Sequence, residues 1–113
     1  MTLRHGVYAV ALLLCWVLCW AAAAQADDSG TVITIKGGKF APSEVTVPAN
    51  TKVKLIVRNQ DPSMSEFESV DLHREKTVTP GNQILVFVGP LSAGSYEFFD
   101  DFHPQDRGHL IAK

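Results

Sequence analysis

Apolar and polar residues alternate with a period close to two along much of this sequence, and this alternation restricts its fold more than any other feature. Residues 44–47 (EVTV) and 66–70 (EFESV) are clear examples. Side chains on a strand point alternately to two faces, whereas a helix needs a period near 3.6. Turn residues separate the alternating segments at intervals of roughly 8 to 12 residues. We therefore expect an all-β protein, a sandwich or barrel of about seven or eight short strands.

The first 26 residues differ from the rest and are interpreted as a secretory signal. Arg4 lies near the N-terminus, an uncharged apolar run follows at residues 7–20, and residues 24–26 (AQA) fit a cleavage site. A helix of that run covers about 21 Å, short of the roughly 30 Å of a bilayer core. We expect cleavage after Ala26 and export to the periplasm, rather than a retained membrane span.

Removal of the signal changes the composition that bears on function. Cleavage would leave a flexible leader at residues 27–30 and one domain over residues 31–113. Both cysteines, Cys15 and Cys19, lie in the predicted signal, so the exported chain would have no disulfide, thiolate metal site or catalytic cysteine. It would carry nine Lys and Arg against twelve Asp and Glu. This acidic balance argues against a nucleic acid or an anionic membrane as partner.

Known catalytic motifs are missing from the sequence. It contains no nucleophile elbow, phosphate-binding loop, dinucleotide fingerprint or H-E-x-x-H pair. The sequence therefore does not assign the chain to an enzyme class, and a stand-alone enzyme is not the favoured interpretation.

A first group of candidate ligands lies at residues 64–68 (MSEFE). Period two places Glu66 and Glu68 on one face of a strand and Phe67 on the other. Two carboxylates on one face can bind a cation, with Met64 as a further ligand. The alternative is a half-buried strand whose two carboxylates face the solvent.

A second group follows an aromatic segment at residues 95–99. Asp100, Asp101 and His103 place two carboxylates and an imidazole within four residues. These ligand types favour iron, manganese or Cu(II) over Cu(I). The alternative is a polar surface turn, since Asp and Pro favour turns for backbone reasons. His73 and His109 are candidates for a second, surface site.

Several segments resemble the cupredoxin family. In cupredoxins the strand that corresponds to residues 95–99 ends at the copper-binding Cys, and a His ligand follows three residues later. Here the Cys position holds Asp100, His103 lies at the expected spacing, and Glu66 aligns best with the first His ligand of the family. The likeness covers residues 40–42, 47–50, 53–59 and 91–99 and the last strand. It implies a cupredoxin-like Greek-key β-sandwich without a type 1 blue copper site, which needs a Cys thiolate.

A narrower group is still more similar: the periplasmic cupredoxin-like proteins of bacterial iron-permease systems, namely FtrB-type proteins and the cupredoxin domain of EfeO-type proteins. Residues 65–69 (SEFES) and 98–103 (FFDDFH) are the most specific parts of this likeness. It implies a protein that binds iron (Fe²⁺ or Fe³⁺), or Cu²⁺, and assists its oxidation or delivery. The implied partners are an inner-membrane iron permease and a companion periplasmic iron-binding protein, with a homodimer as one state.

On this interpretation Glu66, Asp100 and His103 form the metal site, with Glu68, Asp101 and Met64 as further ligands. Two alternatives stay open. One is a metal-free β-sandwich that acts as an accessory or interaction module. The other is a periplasmic copper-handling protein, although one Met in the predicted mature chain is few for a Cu(I) site.

Overall fold

Nine strands make up the regular structure of residues 30–113, the part of the chain that the computed structural model describes. The strands are β1 (Thr31–Lys36), β2 (Lys39–Ala41), β3 (Glu44–Val47), β4 (Val53–Asn59), β5 (Ser65–Ser69), β6 (Arg74–Val78), β7 (Gln83–Val88), β8 (Gly94–Asp100) and β9 (His103–Ala112). The predicted all-β class is confirmed. Among these residues no helix is long and apolar enough to cross a membrane.

The strands form two sheets that pack face to face. The first sheet has the order β2-β1-β4-β7, and the second has the order β3-β9-β8-β5-β6. Strands β1 and β4 pair in parallel, as do β3 and β9, and the other pairs are antiparallel. Strands distant in sequence are therefore neighbours, which brings β5 beside the end of β8.

The core lies between the two sheets and is built from alternate residues of each strand. Phe40, Phe67 and Phe98 form its aromatic centre, with ring centroids 4.9 Å apart for Phe40–Phe98 and 5.3 Å apart for Phe67–Phe98. Aliphatic side chains such as Ile33 and Leu55 are fully buried around them. Because inward positions alternate with outward ones, the residues on either side of Phe67 must face away from the core.

The strand boundaries differ from the sequence interpretation in two places. Strand β2 was not expected, because three residues are too few to show a period. The sequence pattern indicates a last strand only from about His109 onward, whereas β9 begins at His103, so His103 starts a strand and does not lie within a loop. Strand β2 pairs with β1 across the two-residue turn at Gly37 and Gly38, and His103 at the start of β9 pairs with Asp100 at the end of β8. Both pairings are local, and these segments are too short for an alternating pattern to reveal them. The predicted signal at residues 1–26 and most of the predicted leader lie outside the described residues and stay predictions.

Gly108 is required where β9 passes over the core. A Cβ atom at this position would lie 2.5 Å from ring atom Cζ of Phe98 and 2.7 Å from the backbone oxygen of Ser43. We expect Gly108→Ala to lower the free energy of unfolding by about 3 kcal/mol, the upper range for overpacking a core. Urea unfolding followed by fluorescence measures this. Gly94→Ala is the matched control, because its Cβ would meet no atom closer than 3.9 Å, and equal losses in both variants would contradict the packing explanation.

Candidate metal centre

Three carboxylates meet on the outer face of the second sheet. Glu66 and Glu68 project outward from β5, on either side of the buried Phe67, and Asp101 lies in the turn between β8 and β9. One ligand oxygen from each of the three lies within 4.8 Å of the others. Glu66 and Glu68 are partly buried and Asp101 is exposed, so the group is open to solvent on one side.

Backbone hydrogen bonds hold the turn against β5 and so bring Asp101 to the two glutamates. The Asp101 N–H donates to the carbonyl oxygen of Glu66 over 3.0 Å. The Asp100 Oδ1 accepts from the N–H of Glu66 and from the N–H of Phe102, each over 3.0 Å. One buried carboxylate thus fastens the turn to the beginning of the neighbouring strand.

Asp100 itself faces inward, and its side chain is 1% exposed. Burial alone would raise the pKa of Asp100, but hydrogen bonds from Glu66, His103, Ser65 and Phe102 outweigh it and hold the pKa below its usual value. Both oxygens therefore already have partners within the protein. The structure gives Asp100 a positioning role at the base of the carboxylate group.

His103 is joined to Asp100 and not to the three outward carboxylates. Its Nδ1 lies 3.0 Å from Asp100 Oδ2, and its side chain is 37% exposed. A carboxylate at one imidazole nitrogen fixes the ring and leaves the other nitrogen for a ligand, an arrangement common beside metal sites. With Nδ1 as the donor, Nε2 is the nitrogen that a metal could use.

Glu75 adds a fourth negative charge to the group. It lies on β6 directly opposite Glu68 of β5. A side-chain hydrogen bond with Glu75, partial burial, and the charges of Glu75, Asp101 and Glu68 together raise the pKa of Glu66 to about 7. The pKa of Glu68 is also raised, by burial first and then by the charges of Asp101 and Glu75. Repulsion within the group therefore favours retention of a proton near neutral pH.

One oxygen of this group has no partner within the described structure. Glu66 Oε1 is buried from solvent and makes no hydrogen bond there. A buried oxygen without a partner is unfavourable by about 1 to 3 kcal/mol unless a proton, water or cation satisfies it. The group is therefore incomplete as a set of protein contacts alone.

The remaining predicted ligands lie around this group or away from it. Met64 precedes β5 and is 46% exposed. His73 lies in the β5–β6 turn and lines, with Glu68 and Glu75, a shallow depression of about 260 Å³. His109 lies on β9, where its Nε2 is 3.6 Å from Glu97 Oε2. Of the predicted ligands, then, Glu66, Glu68 and Asp101 come together, while Asp100 and His103 form a separate pair beneath them.

Sequence reasoning missed two acidic residues. Glu75 lies among residues of both charges at 71–76 (DLHREK), a pattern typical of a solvated face, and only the register of the β5–β6 hairpin brings it to Glu68. Asp106 was not singled out, yet it is 5% exposed and its Oδ1 accepts from the Phe40 N–H over 3.0 Å. Alternation along β9 could have indicated Asp106, since it is in phase with the inward Gly108 and Leu110.

Comparison with known proteins supports the fold and the family. A family model described as "Cupredoxin-like domain" matches residues 9–112. An uncharacterized protein of Rickettsia prowazekii (strain Madrid E), RP394, is 54% identical over 80 residues, which are 70% of this chain and 64% of that protein. The chain thus spans about 64% of the length of that relative.

Solved cupredoxin structures share the architecture at low sequence identity. Amicyanin from Paracoccus versutus has a TM-score of 0.64 and 23% identity, covering 81% of this chain and 89% of that one. A purple cupredoxin from Nitrosopumilus maritimus has a TM-score of 0.59 and 18% identity, covering 74% and 99%. With nine strands in two sheets and a family model that spans nearly the whole sequence, the chain belongs to the cupredoxin-like domain family.

Proposed function

We propose that this protein is a metal-binding cupredoxin-like protein that holds iron, or Cu²⁺, between Glu66, Glu68 and Asp101. The observation that carries the proposal is the convergence of these three carboxylates within 4.8 Å. Glu75 contributes further negative charge from β6. A bound cation would offset the mutual repulsion of the group and satisfy the buried Oε1 of Glu66.

The donor chemistry favours a hard ion. Carboxylate oxygens suit iron, Mn²⁺ and Cu²⁺ better than Cu⁺, which prefers thiolate and thioether ligands. Amicyanin, a structural neighbour, is described in a reduced Cu(I) form. Residues 30–113 of this chain contain no cysteine. The position that the cupredoxin resemblance gives to the copper thiolate holds Asp100, which is buried and hydrogen-bonded, so the residues do not fit a type 1 copper centre.

His103 and Met64 are candidates for secondary contact with the ion. Because Asp100 orients the imidazole through Nδ1, Nε2 of His103 could accept an ion that moves from the three carboxylates. Met64 is exposed beside β5 and offers only a soft sulfur ligand. We assign capture of the ion to the carboxylates and assign a positioning role to Asp100.

The proposed biological role is delivery of iron, or its oxidation, beside an inner-membrane iron permease. The support is the likeness of residues 65–69 and 98–103 to FtrB-type and EfeO-type proteins, together with the predicted signal. Reversible binding by carboxylates is sufficient for delivery. Carboxylates also stabilise Fe³⁺ relative to Fe²⁺ through their charge, so the same residues would lower the reduction potential of the bound ion; its oxidation would then need an external one-electron acceptor.

The proposal is tested by calorimetric titration of the metal-free protein with Fe²⁺ under anaerobic conditions, and separately with Cu²⁺. We expect one equivalent of ion to bind. Failure of both ions to bind would contradict the proposal and favour the metal-free accessory module.

One observation supports that module: the aromatic side chain of Phe102 is 48% exposed in the β8–β9 turn, where it could contact a partner protein.

Binding should depend on pH through Glu66. A carboxylate whose pKa is raised to about 7 holds its proton below that pH, and the ion must displace it. We expect the apparent affinity to fall about tenfold for each pH unit below 7 and to level off above it. Titrations between about pH 5.5 and pH 8 measure this dependence.

Glu75→Gln is the informative variant for this dependence. It removes the neighbour that raises the pKa of Glu66 most, so the midpoint of the pH profile should move to lower pH. Glu44→Gln removes an exposed charge elsewhere on the same sheet and should leave the midpoint unchanged. A profile that is flat across this range would exclude Glu66 as the titrating ligand.

A further inference from the structure

Charge is divided unequally between the two sheets. The four strands of the first sheet contain Lys36, Lys39, Lys54 and Arg58 and no acidic residue. The five strands of the second sheet contain seven acidic residues and three Lys or Arg. The net charge of the whole chain is −2, which conceals this separation.

The cations of the first sheet project from its outer side. Inward positions are taken by core residues such as Ile33, Ile35 and Leu55, so residues out of phase with them point outward. Lys36 lies directly opposite Lys39, and Arg58 lies opposite Thr34 in the neighbouring strand. We call the outward surface formed by Lys36, Lys39, Lys54 and Arg58 the basic face.

Two large apolar side chains lie exposed at the edge of the basic face. Leu85 and Phe87 on β7 are 41% and 47% exposed, and Phe87 lies opposite Lys54. The Nζ of Lys52 is 5.7 Å from the centroid of the Phe87 ring. Cations with apolar side chains on one side of a protein are the combination that binds the interface of an anionic bilayer.

We propose that the basic face binds the surface of a membrane that contains anionic lipids. This inference is independent of the proposed metal site, which lies on the opposite side of the sandwich. Bound in this orientation, the protein would direct its carboxylate group toward the aqueous phase. A flat sheet surface with cations spread over three strands suits a planar array of lipid headgroups better than the recess of an acidic protein.

The acidic sheet does not prevent such binding. Two packed sheets lie about 10 Å apart, and outward side chains add several ångströms on each side. The two outer faces are thus separated by more than the Debye length of about 8 Å at physiological ionic strength. A bilayer in contact with the basic face therefore interacts mainly with Lys and Arg. Asp61 adds one negative charge beside Lys36 and Lys39, and its two oxygens accept hydrogen bonds from the N–H groups of Gly37 and Gly38.

The test is co-sedimentation of the purified protein with lipid vesicles. One set contains equal amounts of phosphatidylcholine and phosphatidylglycerol, and the other contains phosphatidylcholine alone. We expect binding to the anionic vesicles, loss of that binding at high salt, and no binding to the zwitterionic vesicles. The double variant Lys36→Gln/Lys39→Gln should weaken binding by about tenfold or more.

A matched control removes the same charge from elsewhere. Arg107→Gln/Lys113→Gln alters one cation of the second sheet and one at the C-terminus, and it should bind anionic vesicles like the wild type. Failure of the wild type to bind these vesicles at low salt would overturn the proposal, as expected if the partner were an acidic protein. Equal losses of vesicle binding in the two double variants would overturn it as well. Titration of the same samples with metal tests the proposed function separately.

Discussion

Asp100→Ala is expected to lower the free energy of unfolding by about 4 kcal/mol, a large part of the stability of a domain of this size. The variant leaves the N–H groups of Glu66 and Phe102 without their acceptor and removes the partner of His103 Nδ1. Because Asp100 is 1% exposed, water cannot readily replace the carboxylate. Urea unfolding measures the loss.

The pH dependence distinguishes this role from general burial of a charge. The pKa of Asp100 is lowered in the folded protein, so its ionisation adds stability above its unfolded pKa, and that stability is lost as the pH falls through the folded value. Asp100→Asn should therefore lower the free energy of unfolding more at about pH 7 than at about pH 3.

Asp106→Asn is the matched control, because the pKa of Asp106 is shifted in the opposite direction from that of Asp100. Burial raises the pKa of Asp106, and Oδ2 has no partner in the described structure. Its ionised form is therefore disfavoured in the fold, and the stability that protonation provides is lost as the pH rises. Asp106→Asn should therefore lower the free energy of unfolding less at about pH 7 than at about pH 3. Similar pH dependence in both variants would contradict the separate roles assigned to these aspartates.

Glu66→Gln is expected to weaken iron binding by about a hundredfold or more. Loss of a residue that only hydrogen-bonds to a metal ligand weakens metal affinity by about 10- to 100-fold. Because Glu66 is proposed to bind the ion directly, its loss should weaken affinity at least as much. Glu68→Gln should act in the same direction, while Glu44→Gln, on β3, should bind iron like the wild type. Anaerobic calorimetry with Fe²⁺ gives the three affinities.

The melting temperature of the metal-free variants distinguishes loss of a ligand from damage to the fold. Each Gln substitution removes one of several like charges, so Glu66→Gln and Glu68→Gln should melt at the same temperature as the wild type or higher. Weak binding together with a lower melting temperature would indicate damage to the fold and would count against the ligand assignment.

The architecture was largely accessible from sequence because alternation reports directly on burial. The predicted inward residue of β5, Phe67, is fully buried, and the outward pair Glu66 and Glu68 is only partly buried. Strand β2 and the early start of β9 were not accessible. Each pairs with the strand directly before it, across a turn of two residues, and each segment is too short to show a period of its own.

The site was only partly accessible because sequence does not show which backbone groups a buried carboxylate meets. Asp100 and Asp101 are adjacent and identical in type, yet Asp100 turns inward to accept backbone hydrogen bonds and Asp101 turns toward Glu66 and Glu68. Asp100 is in phase with the inward Phe98 of β8, so the strand period places its side chain inward and that of the next residue, Asp101, outward. Glu75 joins the group through hairpin register alone.

The central claim is that Glu66, Glu68 and Asp101 together hold a metal ion. Crystals of the protein soaked anaerobically with Fe²⁺ test it most directly, through anomalous scattering measured at the iron absorption edge. The account predicts one strong peak bounded by oxygens of these three side chains. A saturating soak that gives no peak, or a peak only beside Glu97 and His109, would contradict it.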